Sequence, residues 1–98
     1  MAEEKKNPNQ SEAFRMDFST FVLSLNASAL IHLGEIPDPA SRERTVSLSA
    51  AKHTIEILEI IKDKTKGNLD GEEQKLLDDV LFNLRMKYVR GLQPEKKD

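Results

Sequence analysis

The chain reads as an all-α protein of three helices, at about residues 17–34, 47–66 and 70–90. The second and third are expected to form an αα-hairpin. Three observations predict this. Apolar residues recur every three or four positions in three segments, and no segment alternates convincingly with period two. Each segment opens on a residue that caps helices and stops near a glycine or proline. A length of 98 residues favours a single domain. That domain is expected over 17–91, between a flexible N-terminal tail (1–16) and a flexible C-terminal tail (92–98). The first twelve residues, MAEEKKNPNQSE, are polar and charged and read as disordered.

Helix one is predicted from its ends inward. Asp17 is an N-cap residue, Gly34 supplies a left-handed stop, and Pro37 and Pro39 prevent continuation. From Phe18 to Leu33 there is no Asp, Glu, Lys or Arg. At 100° per residue, Phe18, Phe21, Val22, Leu25, Ala29 and Leu33 share one face, and Leu23, Ala27, Leu30 and Ile31 lie on the other side. A helix apolar all round is normally buried all round. Two neighbouring helices cannot cover every face of it.

A linker of roughly residues 35–46 follows, long for a helix–helix joint. Helix two starts after Ser47 as N-cap. Leu48, Ala51, Ile55 and Leu58 form its stripe, widened by Ala50, Ile57 and Ile61, while Lys52, Glu56, Glu59 and Asp63 face water. Helix three starts after Asp70 and is closed by Gly91 and Pro94. Its main stripe is Leu77, Val80, Leu81, Leu84 and Tyr88, and a second stripe, Phe82, Met86 and Val89, lies on a different face. Surplus apolar surface on all three helices predicts self-association, most simply as a homodimer. The expected interface residues are Phe18, Phe21, Leu23, Leu30, Ile31, Phe82, Met86 and Val89.

Composition removes several function classes. A net charge of −2 argues against a general nucleic-acid binder. With no cysteine there is no disulfide, thiolate nucleophile or cysteine zinc site, which suits a reducing cytoplasm. No apolar run approaches the ~20 residues of a membrane span. Phe21–Leu25 followed by Ala27-Ser28-Ala29 imitates a leader with its cleavage site, but Glu3, Glu4, Glu12 and Asp17 precede it, so it reads as helix. Nucleophilic catalysis finds no Gly-x-Ser-x-Gly elbow.

The densest charge lies in KTKGNLDGEE, residues 64–73. A phosphate loop would need G-x-x-x-x-G-K-[ST] after a strand, and the order here differs. A helix joint explains the charges better. Lys62, Lys64 and Lys66 complement the end of one helix dipole, and Glu72 and Glu73 the start of the next. Gly67 stops helix two, and Asp70 with Glu73 makes a capping box. A joint requires neither Thr65 nor Asn68, which marks this turn as a place to look for a further protein partner. A DNA-reading helix that opens on Glu72 and Glu73 would meet phosphates with like charge. Arg85, Lys87 and Arg90 complement the C-terminal dipole, or Arg85 pairs with a carboxylate across the interface.

Metal binding has weak candidates in His32, His53 and Glu56. His32 and Glu35, like His53 and Glu56, stand three apart, which puts both members on one helical face. Di-iron bundles use the order Glu-x-x-His, reversed here, and Glu35 falls beyond Gly34.

Several separated blocks then carry a resemblance. These are Phe18-x-x-Phe21 with Ser24-Leu25, Leu33-Gly34-Glu35-x-Pro37-x-Pro39, Ala51-x-x-x-Ile55-x-x-Leu58, Lys64-Thr65-Lys66-Gly67-Asn68-Leu69 with Glu72-Glu73, and Leu76-Leu77-x-x-x-Leu81-x-x-Leu84-Arg85-x-x-Tyr88-Val89. Over about residues 17–90 the chain resembles a family of short bacterial proteins known only as a domain of unknown function. Thr54-Ile55-Glu56 stands where that family favours Ile-Asp. The resemblance implies a small all-helical protein and transfers no activity and no site residue.

The expectation is therefore a cytoplasmic homodimer acting as a non-catalytic interaction or regulatory module, with no cofactor, no nucleic acid and no integral membrane span. The alternatives are a carboxylate–histidine metal protein or enzyme built on His32 and His53, and peripheral membrane contact through helix one. The last lacks the basic face that such helices carry.

Overall fold

The computed structural model describes residues 16–93. Among the described residues there are three helices: α1 (Phe18–His32), α2 (Leu48–Lys64) and α3 (Gly71–Leu92). Among the described residues there is no strand. The expected tails at 1–16 and 92–98 lie outside the described residues, apart from Met16, Leu92 and Gln93.

All three N-caps act as their residue types require. Asp17 Oδ1 accepts from the Thr20 N–H at 2.8 Å, and Ser47 Oγ accepts from the Ala50 N–H at 3.4 Å. Asp70 and Glu73 form a reciprocal capping box at 2.8 and 3.0 Å. Each cap satisfies a backbone donor that the first helical turn leaves without a partner, worth about 1 kcal/mol.

The helix ends differ from expectation in detail. α1 stops at His32 and α2 at Lys64, each short of the predicted 34 and 66, because the C-terminal turns close before the glycines are reached. α3 passes 90 and continues through Gly91 to Leu92. Gly91 serves packing instead of termination: a Cβ there would stand 3.2 Å from Leu48 Cδ2.

The helices run up, down and up. Leu48 lies beside Gly91, Glu59 beside Arg85 and Lys62 beside Asp78, so α2 and α3 are antiparallel. Glu35, just past α1, reaches Lys87 near the end of α3, so α1 and α3 finish together. Each helix packs on both others. The shared core contains Val22 and Ala29 from α1, Ile55 and Leu58 from α2, and Leu77, Val80, Leu81 and Leu84 from α3. Each fully buried leucine stabilises the fold by about 1.5–3 kcal/mol.

On α1 the core takes the face that the periodicity marked, with Val22 and Ala29 fully buried in it, and the structure differs only at Phe21 and Leu30. Phe18, Leu25, Leu30 and Leu33 pack against the core, while Phe21 is exposed. On α2 the polar Thr54 is buried, its hydroxyl donating to the Ala50 carbonyl at 3.2 Å, and Ile57 is exposed.

Candidate functional site

The charged turn at residues 64–73 resolves into a joint. The Thr65 hydroxyl donates to the Ile61 carbonyl at 2.7 Å, satisfying an acceptor at the end of α2. The Asn68 N–H donates to the Thr65 carbonyl at 2.8 Å, closing a four-residue turn with Gly67 at φ +84° in its third position. That positive φ at the third position is what a type II turn demands. Thr65, which the capping logic did not require, thus has a structural role. Among the described residues, Asn68 makes no side-chain hydrogen bond, and its side chain is exposed.

The histidines do not converge on a ligand set. His32 is half-buried at the end of α1, with its carbonyl accepting from the Ser47 N–H at 2.8 Å. His53 and Glu56 are exposed on α2. Among the described residues, no group of three or more His, Cys, Asp or Glu side chains is placed to hold a metal ion.

The hairpin face opposite α1 is laced by ion pairs. Lys62 Nζ meets Asp78 Oδ1 at 2.7 Å, and Arg85 meets Glu59 Oε2 through both Nε (3.1 Å) and Nη2 (2.9 Å). The partner of Arg85 is thus a carboxylate of its own chain. The hydrogen bond from Lys62 holds the Asp78 carboxyl below its ordinary pKa, and the Asp79 carboxylate raises the Lys75 ammonium above its own. Two shallow depressions flank the Glu59–Arg85 pair. One, of about 200 Å³, has an apolar floor of Ile55, Tyr88 and Val89 under a rim that includes Lys52 and Arg85. The other, of about 280 Å³, lies between the stems and heads of the charged residues Glu59, Lys62, Asp63, Lys66 and Arg85. Both fall below the roughly 300–1,000 Å³ typical of small-molecule sites.

The residues expected at an interface divide into two groups. Phe18 and Leu30 pack on the chain's own core, and Ile31 is half-buried. Phe21 and Leu23 are exposed on opposite flanks of α1. On α3, Phe82, Met86 and Val89 are 65%, 47% and 53% exposed, on a stripe turned away from the core residues Leu77, Val80, Leu81 and Leu84. Ile57 and Ile60 of α2 are also exposed, a patch that the helical periodicity had assigned in part to the core. Among the described residues, no helix is long and apolar enough to cross a membrane.

Three capped helices around one core, with small-residue and apolar faces turned outward, define a small all-helical domain. The family model for a domain of unknown function, DUF1844, matches residues 15–90, and the chain belongs to that family. This agrees with the resemblance carried by the sequence blocks. No curated protein and no solved structure matches the chain. The family description names no activity, so none is transferred to these residues.

Proposed function

We propose that the protein is a non-catalytic helical interaction module that self-associates as a homodimer in the cytoplasm. The observation that carries this reading is the stripe of Phe82, Met86 and Val89, three apolar side chains on a face of α3 that the core does not use. The outer surface of α1, uncharged from Phe18 to Leu33, adds to it. A small domain leaves such surface to water at a cost, and association removes it. The absence of a basic field, and the acids Glu72 and Glu73 at the start of α3, favour protein over nucleic acid as the partner.

Size-exclusion chromatography with light scattering tests the reading. The expected mass is twice that of the 11.1 kDa chain. A monomer that persists at high concentration would sink it. A further protein partner, read from the exposed Asn68 in the turn, has its own test. Asn68→Ala is expected to leave the melting temperature unchanged and to remove that partner from a pull-down.

A further inference from the structure

We draw no further inference here: the strongest candidate, the exposed apolar stripe of Phe82, Met86 and Val89 on α3 with the shallow depression beside Val89, carries nothing beyond the reading above, because nothing in the structure shows what covers it.

Discussion

The two joints between helices use the same device and depend on different things. Gly34 and Gly67 both hold a left-handed backbone, at φ +81° and +84°. Around Gly67 a Cβ would meet nothing within 4 Å, whereas at Gly34 it would stand 2.8 Å from Val46 Cγ2. Gly67 answers to its own turn, and Gly34 answers to a residue twelve positions on. The first joint is a full Schellman motif, with the Glu35 N–H on the Leu30 carbonyl and the Gly34 N–H on that of Ile31. Its long linker then folds on itself. Asp38 accepts from the N–H of Ala40 at its side chain and from that of Arg42 at its carbonyl, and the Ser47 N–H returns to the His32 carbonyl. The joint between α2 and α3 is short and closed locally. Length alone therefore does not measure how firmly a loop is held, because a long one can be tied back to the helix it left.

Breaking this contrast gives ordered expectations, and the largest effect falls on the long joint. Gly34→Ala combines left-handed strain with the clash on Val46 and is expected to cost about 2–4 kcal/mol in urea unfolding. Adding Val46→Ala, an exposed position, is expected to recover the steric share and leave about 1–2 kcal/mol. No recovery would mean that Val46 is not what Gly34 accommodates. Gly67→Ala is expected to cost about 1–2 kcal/mol from φ alone, and no neighbouring substitution should relieve it. Asp70→Ala removes the cap of α3 and is expected to cost about 1 kcal/mol, read as a shift of the urea midpoint at constant slope.

The smallest effect concerns the Lys62–Asp78 pair that flanks the short joint. The Asp78 carboxyl is held below its usual 3.8, so its contribution is present above that value and fades as the pH falls through the folded pKa. The stability gap between wild type and Asp78→Asn is expected to be small at pH 7 and to close in acid. A gap that persists at pH 2 would assign the effect to something other than the charge.

Much of the fold was legible because its signals are local. Asp17, Ser47 and Asp70 were readable as caps, since a cap bonds the backbone three residues ahead. The stripes Ala51–Ile55–Leu58 and Leu77–Leu81–Leu84 were readable because polar residues mark the opposite face. Gly91 misled, because its use is the approach of Leu48, more than forty residues away in sequence. Thr65 was passed over, though a Thr four residues after a helical carbonyl is a recognisable back-bonding position. Of the candidate surface, the Phe82–Met86–Val89 stripe stood out in sequence because α3 has a separate core stripe to compare it with. The depression beside Val89 did not, since it needs α2 alongside.

α1 marks where local reading stops. Its limits followed from Asp17 and Gly34, whose effects reach only a few residues. Its main inward face, Phe18, Val22, Leu25, Ala29 and Leu33, followed from the periodicity, but the edges of that face did not, because fifteen residues without a charge have no wet side to mark them. Only packing against α2 and α3 decided that Leu30 turns inward and Phe21 outward, the apolar energy of burying either being nearly the same until neighbours supply the groove.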